Sequence, residues 1–448
     1  MLARLEEIGA EFLWVVYHDY SGLGRAKAVT GERLRDAVER GVTWAMANWD
    51  IAINDHLIPG ARFAADSGDF IARPDPATLT PVPYRPRVAI ALSDLFDDLG
   101  APFDGDPRGR LKSQVAALGD VGLEARVAFE AEFLLAQPVD EWTWRPADRG
   151  RMFVVDEIDA RWAWAANLLD TLSAMGVAVH QFAREYGNGQ YELSLLPTDP
   201  LTAVDQYVLA RGAIKALARD AGLVASFMPK PFSELPGNGL HVHISLWRPD
   251  GSDALADPDD TGGLGPTGRA AIAGLLAHAP AQTALGAPTP NSYKRLLPGS
   301  WAPAHACWAF GNRAALVRVP GRGAHRRVEY RSGDGSASPY LHLGGLLAAI
   351  IDGVMNDRQA PTPIAGDVGH WTDDEAAGRG VARLPRSLGV ALDELERDSV
   401  LRAMLGPTID EHYLAVKRYE LRCYEEEAGQ AGPTEVTDWE RLTYLEPL

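Results

Sequence analysis

Two periodicities divide the chain. "FLWVVYHD" (12–19) and "RVAIALSDLF" (87–96) are short apolar runs rich in β-branched and aromatic residues, and each predicts a strand. Between them, "ERLRDAVERG" (32–41) spaces its apolar positions as a helix does and closes on a glycine. "ARPDPATLTPVPYRP" (72–86) carries enough proline to be extended or turned. The first hundred or so residues thus read as a small α/β unit. "GDPRGRLKSQVAALGDVG" (105–122) predicts a helix opening a second unit, which divides the chain into 1–104 and 105–448. Beyond it, strand-like stretches (124–135, 178–186, 189–196 and 240–247) alternate with long helical ones (205–222, 268–286 and 340–355). Residues 248–268 and 358–380 read as mobile loops, no internal repeat is evident, and the C-terminal part is mostly helical.

Composition narrows the class. The chain has 448 residues, 46% hydrophobic and 23% charged, as soluble globular proteins do. A net charge of −18 disfavours nucleic acid or an anionic membrane as partner. Cys307 and Cys423 show neither metal-site spacing nor a disulfide framework, which fits a reducing cytoplasm. The opening "MLARLEEIGAEFLWVVYHDY" has early acids and an apolar run of only five, unlike a secretory signal. No apolar stretch reaches the length of a membrane-spanning helix.

The chemistry lies in short apolar strands that carry acids. "FEAEF" sets Glu130 and Glu132 two apart, hence on one face of a strand. Two neighbouring carboxylates repel unless something positive lies between them. "EYGNGQYE" holds Glu185 and Glu192 around Gly187 and Gly189, which disfavour a helix and suit a bend that aims both acids at one cation. The plain alternative is a solvated acidic turn. "HVH" repeats the period with His241 and His243, and "RRVEYR" puts Arg327, Glu329 and Arg331 on one face. Oxygen-rich donors with little nitrogen and no sulfur suit Mg²⁺ or Mn²⁺ rather than zinc. Arg295, Arg313, Arg318, Arg327 and Arg331 form the opposite pole, and arginine is the preferred bidentate partner of carboxylate and phosphate. Acids for metal and arginines for phosphate make a constellation for ATP-dependent chemistry, without a P-loop or protein-kinase motif.

Taken in order, "FEAEF", "EYGNGQYE", "SFMPKP", "GNGLHVHISLW", "NSYKRLLPG", "GNRAALVRVP", "RRVEYRSGDGSASPYL" and "VTDWERLTYLEP" resemble the signature segments of the glutamine synthetase family. The resemblance implies an α+β fold, with an N-terminal β-grasp domain and a catalytic domain whose curved antiparallel sheet is surrounded by helices. It implies a homo-oligomer, commonly a dodecamer of two hexameric rings with shared active sites. By the same resemblance Glu132, Glu185 and Glu192 hold one metal, and Glu130, His241 and Glu329 a second, with two to three Mg²⁺ or Mn²⁺ per site. Gly237, Arg295 and Arg331 match the positions that bind substrate glutamate; Arg313 and Arg318 face the transferred phosphoryl group. His243, Ser245 and Arg327 match positions of the ATP site.

The sequence also departs from the family. Glutamine synthetases usually follow "NSYKRL-PG" with a flap glutamate that helps bind ammonium; here that position is Trp301. Pro236 replaces an asparagine that helps seat glutamate, and "GRGAHRR" (321–327) lacks a lysine expected in the nucleotide loop. Asp50, in "ANWDIAIND", is the expected remaining acid of the ammonium site and proton acceptor. Trp301 and Trp49, with Asp50, would line an amine pocket, since indole faces attract alkylammonium and pack on alkyl groups. The expected activity is therefore an ATP-dependent glutamate–amine ligase acting on an organic amine, as in the γ-glutamylamine synthetases of the family. Its alternatives are glutamine synthesis from ammonia and a non-catalytic, ring-forming homologue.

Overall fold

The computed structural model describes residues 1–448 except positions 258, 260–262, 322, 324 and 325. Loop 248–268 and the nucleotide-loop stretch 321–327 therefore lie partly outside the described residues.

The N-terminal strands are β1 (Phe12–His18), β2 (Gly24–Thr30), β3 (Val42–Ala45), β4 (Asp69–Pro74), β5 (Thr80–Pro81) and β6 (Val88–Phe96). They form one sheet in the order β2-β1-β6-β4-β3, with β5 on β6. β1 and β6 run parallel as its centre, where apolar side chains dominate both runs. β2 escapes a periodicity reading because "GRAKAVT" is small and polar, as befits an exposed edge. The helix Arg33–Arg40 stops at Gly41, where φ is +87° and a Cβ would stand 2.6 Å from Ile71 Cγ2.

The second sheet holds β7 (Glu124–Pro138), β8 (Trp144–Pro146), β9 (Val179–Arg184), β10 (Gln190–Leu195), β11 (Val224–Ser226), β12 (Leu240–Trp247), β13 (Trp308–Phe310), β14 (Val317–Val319) and β15 (Val328–Tyr330). Its order is β13-β14-β15-β12-β7-β10-β9, with β8 and β11 also paired to β7. All pairs are antiparallel but β13–β14. The architecture is α+β: helices Pro107–Asp120, Pro200–Asp220 and Pro339–Met355 pack on the apolar face and leave the other for chemistry.

A core joins the first sheet to the C-terminal helices. Leu13, Val15 and Phe70 pack with Leu341, Ala348, Leu392, Met404 and Tyr413 from the C-terminal helices. Arg108 adds a polar tie. Nearly buried, it donates to Asp75 (2.9 Å) and Asp94 (2.5 Å) of the first sheet and to Asp205 (2.7 Å) of the helix beneath the second. Among the described residues no helix is long and apolar enough to cross a membrane.

Residues 268–286, which read as one helix, form two: Pro266–Ala277 and Ala279–Gly286. Pro280 lacks an N–H, and its ring obstructs the preceding turn. The break lets His278 bridge Asp398 (Nδ1 at 2.6 Å) and Asp352 (Nε2 at 3.0 Å), with Arg358 on the same Asp352 oxygen. Burial lowers the pKa of His278, but the two carboxylates outweigh it and raise the value. The bridge therefore stabilises the fold fully below the ordinary histidine pKa, and that stability is lost as pH rises through the folded value. His278→Ala is expected to cost about 1.5 kcal/mol at pH 6 and little at pH 9. Urea unfolding of both proteins at the two pH values checks this; an equal gap at both would refute it.

Candidate active site

Register builds the site. On β7, Glu130 and Glu132 share the face turned from the helices. Glu192 of β10 lies directly opposite Glu132, and His241 of β12 opposite Glu130. His243 lies opposite Glu329 of β15, which in turn faces Arg318 of β14. Five neighbouring strands thus bring acids, imidazoles and a guanidinium into one row.

Glu185 joins the row through a hairpin. The amide of Glu185 donates to Gln190 O (3.0 Å) and that of Gln190 to Gly187 O (3.0 Å). Gly189 has φ +67°, and a Cβ there would sit 2.5 Å from Leu135 O, so only glycine fits. Arg184, fully buried, holds the turn by donating to Gln190 O (3.0 Å), Asp148 Oδ1 (3.0 Å) and Gly150 O (2.9 Å). The glycines and the fold-back inferred for "EYGNGQYE" are both present, as a strand–turn–strand rather than a solvated bend.

The electrostatics mark a place for positive charge. Burial and then the carboxylates of Glu130, Glu132 and Glu185 push Glu192 up to about 8. Burial and Glu132 push Glu185 up to about 7, partly offset by Arg313. Acids so placed resist ionising together unless a cation lies among them. Glu130 moves the other way: burial would raise it, but His241 and His243 hold it well below the carboxylate range. Glu329, fully buried, is also held low, because Arg331 and the two histidines overcome its burial. Its oxygens accept from Arg331 and from Arg318 (2.6 Å).

Among the described residues, one group of acids and imidazoles converges closely enough to hold a cation. Glu130, His243 and Glu329 offer ligand atoms within 4.8 Å of one another. His241 Nδ1 stands 3.5 Å from Glu130 and 3.9 Å from Glu329. Arg327 Nε donates to His243 Nδ1 (2.9 Å), which puts the His243 proton on Nε2, 2.9 Å from Glu130 Oε1. His243 so pinned orients Glu130, and His241 keeps a nitrogen for the gap between Glu130 and Glu329. The hard, oxygen-rich donor set of Glu132, Glu185 and Glu192 fits Mg²⁺ or Mn²⁺.

Arg295 is buried beside this row and donates to Ser332 O and Arg331 O, each at 3.1 Å. Gly237 and Gly239 make room for it. A Cβ on Gly237 would stand 2.9 Å from Arg295 Cγ, and one on Gly239 2.6 Å from Arg295 Nη2. Gly239 N also donates to Glu132 Oε2 (2.7 Å), joining the loop to the acidic row. Ser245 lies on the histidine face of β12, where its hydroxyl accepts from Trp247 Nε1 (3.0 Å). Arg313 is exposed at the Glu185 edge.

Two residues assigned to the amine pocket are buried. Asp50 is fully buried; its carboxylate meets His412 Nδ1 and accepts from Phe63 N (2.8 Å), while Phe63 stacks on His412. Within this chain, an acid so engaged latches a loop to the C-terminal helix. Trp49 is 1% exposed and packs among Tyr17, Tyr20, Phe70 and Phe103, with no ring face left for a ligand. Trp301 differs from both: it is 73% exposed, with a left-handed φ of +62°. A bulky side chain in that region is an outlier of the kind found at functional loops.

Arg184, Gln190 and Asn238 were not foreseen. Gln190 Nε2 donates to Gly237 O (2.9 Å) and Asn238 Oδ1 (3.0 Å), and Asn238 Nδ2 donates to Met228 O (2.9 Å). These side chains hold backbone groups distant in sequence, a role with no periodic signal.

The model of the glutamine synthetase catalytic domain matches residues 104–444. The glutamine synthetase of Methanocaldococcus jannaschii is 37% identical over 388 residues, covering 85% of this chain and 84% of that protein. The glutamate–methylamine ligase of Methyloversatilis universalis is 34% identical over 457 residues, covering 99% and 98%. A solved structure of a GmaS/ADP complex superposes with a TM-score of 0.84 at 31% identity, covering 98% of each chain.

Proposed function

The chain belongs to the glutamine synthetase family, and from that premise we propose that it is an ATP-dependent ligase joining the γ-carboxylate of glutamate to an organic amine. The γ-carboxylate attacks the terminal phosphorus of ATP, giving γ-glutamyl phosphate and ADP. The neutral amine then attacks the acyl carbon, phosphate leaves, and the amine proton is released. In this reading Arg295, Arg331 and the Gly237 backbone hold glutamate, and Arg313 and Arg318 face the phosphoryl group as its charge spreads. His243, Ser245 and Arg327 take the nucleotide. Glu132, Glu185 and Glu192, and Glu130, His241 and Glu329, would hold divalent cations, whose charge would neutralise phosphate oxygens. The family's ring assembly, with sites shared between subunits, belongs to the same reading.

Trp301 carries the choice of amine. It is exposed beside the Arg295 loop, where the family's flap presents a glutamate, and its hydroxyl-bearing neighbour Ser300 ties back to Arg295 O (2.7 Å). Ammonium gains on the order of 0.5–1 kcal/mol from an indole face. Each buried methylene of an alkylamine adds about 0.8 kcal/mol, so two or three favour the organic amine by roughly 15- to 60-fold. A methylamine ligase resembles the chain over nearly its whole length, as glutamine synthetases do, so both activities occur among its relatives.

The test compares kcat/KM for ammonia, methylamine, ethanolamine and polyamines, in wild type and in Trp301→Glu. The substitution is expected to raise ammonia use relative to organic amines by at least about tenfold. Preference of the wild type for ammonia over every amine tried would make it a glutamine synthetase with an unusual lid.

A further inference from the structure

A carboxylate close to the C-terminus lies beneath the Arg295 loop. Glu440 stands in the first turn of the helix Asp438–Tyr444 and is fully buried, 145 residues beyond Arg295. Its Oε2 accepts from Lys294 Nζ (2.6 Å), Thr437 N (2.8 Å) and Thr437 Oγ1 (2.9 Å). Its Oε1 accepts from Asn291 Nδ2 (2.9 Å). The Thr437 contacts close a capping box, which accounts for one oxygen of this acid and a helix start. They do not account for a buried lysine and a buried asparagine reaching the same group.

Both partners lead to the site. Lys294 is 5% exposed, also donates to Glu435 O, lies 5.2 Å above the Tyr424 ring, and is followed in the chain by Arg295. Asn291 is fully buried and pairs with both backbone groups of Lys230: it accepts from Lys230 N (2.7 Å) and donates to Lys230 O (2.9 Å). The preceding carbonyl, Pro229 O, accepts from Asn238 N (2.8 Å), and a Cβ on Gly237 would stand 2.5 Å from it. One carboxylate therefore braces, through Lys294, the turn that carries Arg295 and, through Asn291 and Lys230, the loop that carries Gly237 and Gly239.

We propose that Glu440 is a positioning residue that sets Arg295 and the Gly237–Gly239 loop at the spacing that receives the acid substrate. This rests on the reading of Arg295 as the arginine that holds glutamate. The physical reason for a charge here is rigidity: a buried lysine without its anion must move or lose its proton. Its neighbour Arg295 sits where a Cβ on Gly239 would already meet its guanidinium, so the turn has little room to shift without moving that group.

Steady-state phosphate release by the full-length enzyme, with glutamate, ATP, Mg²⁺ and methylamine varied separately, tests the assignment. Glu440→Gln keeps the size and one acceptor oxygen but removes the charge. It is expected to raise the KM for glutamate about 10- to 100-fold while the KM for ATP stays within about twofold. Glu440→Asp, which keeps the charge on a shorter arm, is expected to recover part of that loss. A protein that is only less well folded would instead lose kcat with both KM values unchanged, an outcome that overturns the proposal. Asn291→Ser cuts the link to Lys230 and supplies the same KM comparison should Glu440→Gln not fold. Arg295→Lys separates the two levels of the argument. If it raises the glutamate KM and the Glu440 and Asn291 variants do not, the bracing is wrong and the role of Arg295 stands. If it does not, both fall together.

Discussion

Glu329→Ala is expected to lower glutamate- and ATP-dependent phosphate release by at least about 10²–10³-fold, the range for removing one preorganised charged group from a phosphoryl- or acyl-transfer site. The reason is the number of charges that meet at this carboxylate. Glu329 is fully buried and accepts from both Arg318 and Arg331, and His241 Nδ1 lies 3.9 Å away. Removing it leaves two guanidiniums facing each other in a buried row, at a cost of about 3–5 kcal/mol if neither finds another partner. It also removes one of the two carboxylates that flank His241 Nδ1, at 3.5 Å for Glu130 and 3.9 Å for Glu329. Glu329→Gln separates charge from shape: it should fold better than the alanine variant yet remain strongly impaired. Circular dichroism and phosphate release at saturating Mg²⁺ check the pair, and a glutamine variant with wild-type rates would sink the assignment of this acid to the metal and phosphoryl machinery.

The second large effect is on stability. Without divalent cation, Glu192 ionises only near pH 8 and Glu185 near pH 7, both far above an unfolded glutamate at about 4.3. Each folded carboxyl thus keeps a proton that the unfolded chain has already released. The sign follows: the stability associated with these protons is fully present below the unfolded value and lost as pH rises through the folded one. For Glu192, mostly buried, the slope is about −1.4 kcal/mol per pH unit between roughly pH 5 and 8. Metal-free enzyme should therefore lose about 2–3 kcal/mol between pH 6 and pH 8 from this group alone. A cation that binds the ionised acids reverses the trend, because binding releases the same protons and grows tighter with pH. Urea unfolding in EDTA and in excess Mg²⁺ across this range reads both effects. Glu192→Gln should flatten the EDTA curve, and an EDTA curve already flat in wild type would refute the clustering of these acids.

Much of this site was legible before any fold was known. The period of two in "FEAEF" and "HVH" already puts Glu130 with Glu132 and His241 with His243 on single faces. The β-strand pattern around them leaves those faces the only polar ones in apolar strands, and the glycines of "EYGNGQYE" allow the turn that returns Glu192 toward Glu185. The burial of Asp50 and Trp49 was not legible in this way. They lie in "ANWDIAIND", a stretch without clear period, where the place of Asp50 in the ammonium site came from the family resemblance alone. Packing decided their burial: Trp49 fills the core above the first sheet, and Asp50 found His412, 362 residues away, as its partner.

By itself the sequence determined the strands that carry the acids and histidines, the faces those residues take, and the family, because these follow from local periodicity and from residues adjacent in the chain. The tertiary structure alone decided which acid faces which: Glu192 on Glu132, His241 on Glu130, His243 on Glu329. It likewise decided that Glu440 meets Lys294, in the turn before Arg295, and that Asp50 meets His412. Register between strands and the burial of a polar group are set by which segments close against one another. That is a balance of packing and desolvation summed over the whole chain, and no short stretch of residues carries it.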